Sequence, residues 1–346
     1  MKAVVYHGSG KVSLEEKAYP HLEDPGDAIV QVTLTTICSS DIHIKHGAVP
    51  RAVPGVTLGH EFVGIVVETG SGVKNVKPGD RVAVNVETFC GTCFFCRRGF
   101  VNNCTDEHGG WALGCRIDGG QAEYVRIPFA DNGLTLIPDH VTDEQALFTG
   151  DIFSTGYWAA DIGEIRPADT VAVIGAGPTG LCTMACARLY SPAKIIAIDT
   201  DEYRLRLAKE RGLADVTLVP GKDRIQERVL SETRGRGADV VLEAAGGKDT
   251  FQTAWQIARA NAIVVVVAMY EENQILPLPA MYGKNLTFKT GGVDGCRCGE
   301  IMELIGAGKL DVSFLISHRC DLSRIMDAYD MFENKKDHVM KFGITP

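Results

Sequence analysis

Hydrophobic and polar positions alternate with two different rhythms along the 346-residue chain. Up to about residue 150 the apolar residues come in short alternating runs. Residues 28–36 (Ala-Ile-Val-Gln-Val-Thr-Leu-Thr-Thr) predict a strand, and residues 62–69 and 81–86 predict two more. Pro54-Gly55 and Pro78-Gly79-Asp80 mark turns between such runs. Short strands punctuated by turns point to a barrel-like β domain. Thr142 with Gln145 three residues on has the pattern of a capping box, so a helix starts there.

From Thr170 the pattern becomes strand, helix, strand, helix. Strands are predicted at Val171–Ile174, Lys194–Ile198, Asp215–Val219, Asp239–Leu242, Ala262–Met269 and about Leu286–Gly291. Helices are predicted from about Gly177 to Tyr190, over Asp201–Arg211, and after Val219 through Glu227. Apolar strands alternating with helices imply a parallel, doubly wound sheet. After about residue 292 the alternation stops, which is compatible with a return of the tail to the first domain.

The length suggests two domains. The hydrophobic fraction of 45%, the charged fraction of 23% and the net charge of −9 are those of an ordinary globular protein, and nothing in them suggests a nucleic-acid or anionic-membrane partner. The apolar run at the N-terminus is too short for a secretory signal, and Ala262–Tyr270 fits a buried strand rather than a membrane span. These features predict a cytoplasmic protein. Eleven cysteines are many for that compartment, where disulfides are disfavoured, so clustered cysteines point to metal.

They do cluster. Cys90-x-x-Cys93-x-x-Cys96-x7-Cys104 places four thiolates within fifteen residues, enough to close a tetrahedron around zinc. Such a site is saturated and therefore structural. An iron–sulfur cluster is the rival occupant. Arg97 and Arg98 lie between the third and fourth cysteines and are candidates to offset the site's negative charge.

Val171-Ala-Val-Ile-Gly175-Ala-Gly177-Pro-Thr-Gly180 runs from a strand into a G-x-G-x-x-G helix start. Gly175 permits the turn, Gly177 lets a pyrophosphate approach the backbone, and Gly180 lets helix and strand pack closely. The helix N-terminus faces the phosphates. Asp199 ends the next strand, where a carboxylate suits a ribose 2′-hydroxyl and repels a 2′-phosphate. Thr200-Asp201 adds a second acid and no base. The cofactor expected is NAD rather than NADP.

Three more fragments carry metal donors: Cys38 in Cys38-Ser-Ser40-Asp41-Ile-His43, His60 and Glu61 in Gly59-His60-Glu61, and Asp151 near the join of the two halves. Singly, a cysteine or histidine is usually a core or satisfied polar residue. Together with a dinucleotide fold, a thiolate, an imidazole and a carboxylate make a zinc site with one open position, as alcohol oxidation needs. Ser40 could face the reacting oxygen and His43 continue a proton relay to solvent. Asp41 could hold the His60 ring. Cys296-x-Cys298 is too tight and isolated for a metal and reads as reduced thiols in a loop. Cys182 and Cys186 read as core, and Trp111 reads equally as pocket wall or packing.

These fragments, in this order over essentially the whole chain, resemble the zinc-containing medium-chain dehydrogenase/reductase (alcohol dehydrogenase) family. The resemblance implies an α/β fold in which a GroES-like β-rich catalytic domain (1–153 and 293–346) carries an inserted Rossmann NAD-binding domain (154–292), with an active-site cleft between them. It implies two zinc ions per chain: a catalytic one on Cys38, His60 and Asp151, with Glu61 able to join or leave, and a structural one on Cys90, Cys93, Cys96 and Cys104. It implies a Ser40–His43 proton relay, a small alcohol or carbonyl substrate, and a homo-oligomer, tetramer or dimer. Asp151 and Thr155-Gly156 are similar to bacterial secondary-alcohol dehydrogenases. Those enzymes commonly lack the cysteine lobe and use NADP, so polyol and L-threonine-type dehydrogenases stay open as alternatives, and a non-catalytic zinc- and nucleotide-binding protein as a remote one.

Overall fold

The computed structural model describes residues 1–294 and 297–346, so Cys296 lies outside the described residues. The chain forms two compact units, Met1–Ser154 with Asp294–Pro346, and Thr155–Val293.

The first unit is built on a seven-stranded sheet. Its path runs Ile316–Asp321, Lys341–Thr345, Ala28–Thr35, Phe62–Thr69, Arg81–Val84 and Leu134–Leu136, with Tyr124–Ile127 also pairing on Ala28–Thr35. All pairings are antiparallel except that between Ile316–Asp321 and Lys341–Thr345. Val30, Val32, Phe62, Val66, Val82, Val84 and Ile127 fill one core beneath this sheet. The strand expected at 81–86 ends at Val84. There the Asn85 side chain accepts the Glu87 N–H at 3.0 Å and the Val86 N–H turns to the Gly150 carbonyl at 3.1 Å, drawing the chain off the sheet. The Thr142–Gln145 capping box is present, on a helix of only four residues, Asp143–Ala146.

The second unit is a six-stranded parallel sheet in the order Val216–Leu218, Lys194–Ile198, Thr170–Ile174, Ala238–Glu243, Ala258–Val266, Thr287–Thr290. In chain order these are strands 3-2-1-4-5-6, the doubly wound order whose reversal lies beside the first strand. Ala172, Ile196, Val241 and Val264 are fully buried, as strands covered on both faces require. Several expected boundaries differ. The helix expected through Glu227 spans Ile225–Glu232 and buries Val229 on the sheet. The strand expected at Ala262–Met269 spans Ala258–Val266, because the N–H groups of Val267 and Ala268 turn back to the Glu243 carbonyl. The strand at Asp215–Val219 shortens to Val216–Leu218.

Cys182 and Cys186 are buried in the helix Pro178–Leu189. Cys298 is not in a loop: it opens the helix Cys298–Gly306 and is buried beside Ser154. Among the described residues no helix is long and apolar enough to cross a membrane.

Candidate functional site

The strand Ala28–Thr35 delivers Cys38 to the start of the helix Ser39–Lys45. The Cys38 N–H donates to the Asp41 carboxylate at 2.8 Å, so the turn that starts the helix also fixes Asp41. Asp41 is fully buried, and it accepts a second hydrogen bond at 3.0 Å from the Gln121 amide, whose oxygen accepts from the Tyr329 hydroxyl at 2.8 Å. The other Asp41 oxygen lies 3.2 Å from Nδ1 of His60. That contact sets the imidazole so that Nε2 faces Asp151, 3.3 Å from Oδ2. Burial alone disfavours the charged ring. The Asp41 and Asp151 carboxylates outweigh it and hold the His60 pKa well above its ordinary value.

Asp151 reaches the site from the wide helical turn Thr149–Phe153. Gly150 is needed there: a methyl at that position would sit 1.8 Å from the Val84 carbonyl oxygen. Asp151 Oδ2 lies 3.6 Å from Cys38 Sγ, and Ser40 Oγ lies 3.8 Å from the same sulfur. Burial pushes the Cys38 thiol up. His43 is one turn beyond Ser40 on the same helix face, and half-buried.

Glu61 is buried and forms an ion pair with Lys341, itself 1% exposed, which also donates to the Ile37 carbonyl at 3.2 Å. Burial pushes the Glu61 carboxyl up to about 7 against the pull of that ammonium. Burial also disfavours the Lys341 charge, but Cys38, Glu61 and Asp151 around it outweigh this and raise its pKa. Glu61 Oε1 has no hydrogen-bond partner among the described residues.

One donor atom each from Cys38, His60, Glu61 and Asp151 therefore lies within 4.8 Å of the others. A thiolate and two carboxylates held this close repel one another, and the unpartnered Glu61 oxygen adds to the cost. A cation at their centre resolves both problems, and the mixed S, N and O set suits zinc.

A second convergence lies in the loop Cys90–Cys104. Its four sulfurs also fall within 4.8 Å of one another, and none is in a disulfide. Cys90 and Cys104 are 3.6 Å apart; bonds of about 2.3 Å to one tetrahedral zinc would put sulfurs about 3.8 Å apart. Backbone N–H groups of Cys90, Thr92 and Cys96 point at sulfur from 3.4–3.5 Å. Arg98 stacks 3.7 Å over the Phe94 ring and donates to the Phe94 carbonyl.

In the second unit the motif glycines sit at the end of the first strand. Gly175 has φ +99°, and a methyl at Gly180 would lie 2.0 Å from the Gly175 carbonyl oxygen, so both positions require glycine. Gly177 caps the helix Pro178–Leu189. The Asp199 carboxylate accepts from the Ala176 N–H at 2.6 Å and the Asp201 N–H at 2.8 Å, tying the loop to the second strand. A base beyond Thr200-Asp201 also approaches this end. Arg204, on the helix Glu202–Glu210, places Nη1 3.5 Å from where a methyl on Gly177 would lie.

Comparison with known proteins sets these sites in a family. Residues 24–139 match the alcohol dehydrogenase GroES-like domain, and residues 178–312 match the zinc-binding dehydrogenase domain. An alcohol dehydrogenase of Cupriavidus necator is 37% identical over 366 aligned positions, covering 100% of this chain and 99% of that protein. This chain is a zinc-type alcohol dehydrogenase of the medium-chain family. The NADP-dependent isopropanol dehydrogenase of Thermoanaerobacter brockii is 33% identical over 92% of each chain. The solved structure of an alcohol dehydrogenase from Thermus sp. ATN1 superposes with a TM-score of 0.91 at 36% identity, covering 100% and 99% of the two chains.

The residues that sequence reasoning missed in this dehydrogenase all support others. Lys341 is 280 residues from Glu61, Gln121 is 80 residues from Asp41, and Tyr329 is 208 residues from the Gln121 it bonds. None has a local signal, since a lone lysine or tyrosine near a chain end reads as surface. Arg204 could have been found: it lies five residues after Asp199, on the helix that faces the loop.

Proposed function

We propose that this dehydrogenase oxidises a small secondary alcohol to its ketone with NAD, at the Cys38–His60–Glu61–Asp151 cluster. The observation that carries the reading is the convergence of those four donors around a common point, with Ser40 beside it. Cys38, His60 and Asp151 would hold the catalytic zinc, and Glu61 would join or leave it; Cys90, Cys93, Cys96 and Cys104 would hold a structural one. When bound, the zinc supplies Lewis acidity at the alcohol oxygen and the nicotinamide supplies a hydride acceptor.

The chain's own residues do the rest. Ser40 receives the substrate hydroxyl proton and passes it toward His43, an imidazole able to carry it on to solvent. Asp41 keeps the His60 ring in one orientation. Lys341 gives the Glu61 carboxylate a partner other than the zinc, which supports a transient rather than resident role for Glu61. Gly175, Gly177 and Gly180 open a helix N-terminus to a pyrophosphate. Asp199, already oriented by two backbone N–H groups, has lone pairs left for the ribose hydroxyls.

A second reading, NADP, is favoured by one observation: the Arg204 guanidinium beside Gly177 could meet a 2′-phosphate. Its ion pair with Asp201, at 3.5 Å, favours NAD by occupying that charge. We also infer a homo-oligomer. The unpaired edge strand Thr287–Thr290 and the exposed apolar side chains of Ile275, Leu278 and Tyr282 in the same unit support this. Cys38 and the four lobe cysteines, none of them in a disulfide, support a reducing, cytoplasmic setting.

Initial rates with NAD and with NADP over 2-propanol, 2,3-butanediol, sorbitol, threonine and a primary alcohol, before and after zinc chelation, test the reading. Turnover of a secondary alcohol with NAD that disappears on chelation is expected. Preference for threonine or sorbitol would move the substrate class, and no turnover of anything by the zinc-loaded protein would overturn the reading.

A further inference from the structure

Glu87 is a buried carboxyl that neither the donor cluster nor the proton route uses. It lies on the short strand Glu87–Thr88, directly opposite Trp111 on the antiparallel strand Gly110–Trp111. Residues facing each other across such a pair point to the same side, so the carboxyl and the indole share one face of this ribbon. Glu87 is 2% exposed and Trp111 9% exposed. Glu87 Oε2 and Trp111 Nε1 both lack a hydrogen-bond partner among the described residues. A buried polar atom without a partner is costly, and two on one small face point to a missing third party.

That face adjoins the donor cluster. The Trp111 ring meets the His60 ring edge-on, with centroids 5.6 Å apart. The residue before Glu87 is hydrogen-bonded to Gly150, the neighbour of Asp151. Arg51 caps the Trp111 ring from 4.9 Å, a charge that draws on the ring rather than on the indole N–H. Burial raises the Glu87 pKa to about 8, with Arg51 opposing the shift. A carboxyl in that range can both give and accept a hydrogen bond near neutral pH, which matches a hydroxyl.

We propose that the Glu87 carboxyl, with the Trp111 indole N–H beside it, binds a second hydroxyl of the substrate, so that this dehydrogenase selects vicinal diols and their α-hydroxyketones over simple monohydric alcohols. The proposal rests on the Cys38–His60–Glu61–Asp151 cluster being the reaction centre. It makes Glu87 a specificity residue: the reacting hydroxyl goes to the cluster, and its neighbour goes to the carboxyl. A monohydric substrate leaves Glu87 buried and unpartnered, which is how polar sites reject analogues lacking one group.

The test compares kcat/KM for 2,3-butanediol and 2-butanol, which share a carbon skeleton and differ by one hydroxyl, in the zinc-loaded enzyme. The wild-type ratio should favour the diol by about 10²-fold. Glu87→Ala should lower that ratio at least about tenfold, and Glu87→Gln, which keeps a donor and an acceptor, should restore part of it. An absent wild-type preference, or a ratio unchanged in Glu87→Ala, overturns the proposal. A tryptophan-fluorescence titration with 2,3-butanediol supplies a readout without turnover. Saturable binding by the wild type that is weakened in Glu87→Ala supports the Glu87 site even if no alcohol is turned over, the result that would defeat the assigned reaction instead. No saturable diol binding by the wild type overturns it. Unfolding of Glu87→Ala, monitored by its thermal midpoint, leaves the Glu87→Gln ratio and the wild-type preference to decide.

Discussion

The four-cysteine lobe takes all its donors from the fifteen residues Cys90–Cys104, whereas the other cluster gathers Cys38, His60–Glu61 and Asp151 from three distant segments. The lobe is half-exposed, with Phe94 and Phe100 in solvent, and the contacts recorded around its sulfurs are mainly backbone N–H groups and neighbouring cysteines. The other cluster is enclosed by buried partners that no metal provides: Asp41 with Gln121 and Tyr329, and Glu61 with Lys341. With the zinc proposed for the lobe, metal binding and local folding would be one event, since little else holds it. In the inner cluster the protein arranges the donors in advance, which suits a site whose ligands must stay fixed while substrates exchange.

The largest effect that could break this contrast is chemical. Cys38→Ala should abolish turnover while zinc analysis still finds the lobe's ion; loss of both ions would mean that the clusters are not independent. Ser40→Ala should lower kcat by roughly 10²–10⁴-fold with metal content unchanged, the usual weight of a proton-transfer group; an unchanged kcat removes Ser40 from the route.

Lys341→Met should cost about 3–5 kcal/mol in stability, because it leaves the Glu61 carboxylate buried without its cation. Denaturant unfolding measures it, and a loss below 1 kcal/mol would show that the inner cluster does not depend on its protein partners. Cys93→Ser should open the lobe at a cost of about 3 kcal/mol, moving the thermal midpoint by roughly 6–12 °C. Per folded molecule, activity should fall far less than in Cys38→Ala.

The smallest effect belongs to neither cluster and serves as a control. Burial opposes ionisation of Asp215, but hydrogen bonds from Arg188 and the Ile195 N–H hold its carboxyl below the usual range. Its folded pKa is therefore lower than its unfolded one. The stabilisation is present above the unfolded value, near pH 4, and is lost as pH falls through the folded value. Asp215 is partly exposed, so after solvent screening Asp215→Asn should cost under about 1 kcal/mol at pH 7 and less at pH 2. Unfolding curves at the two pH values check the sign.

The rhythm of apolar residues sufficed for the doubly wound sheet, because strands buried on both faces must be apolar throughout. Gly175, Gly177 and Gly180 were legible because backbone geometry itself demands glycine. The cysteine lobe was legible because its donors are neighbours in sequence. Boundaries were less so: the strand at 81–86 stops at Val84 through a side-chain contact of Asn85 and a carbonyl from Gly150, and no local pattern encodes the second.

Chain composition and spacing thus singled out the donors and glycines proposed to bind metal and phosphate, since donor chemistry and glycine geometry are properties of single residues and their near neighbours. Tertiary structure alone decided that Lys341 meets Glu61, that Tyr329 and Gln121 brace Asp41, that Arg204 approaches Gly177, and that Glu87 is buried beside Trp111 with an oxygen unpartnered among the described residues. Those facts depend on which distant segments the core brings together, and burial rather than residue type sets the charge and hydrogen-bonding need of each group.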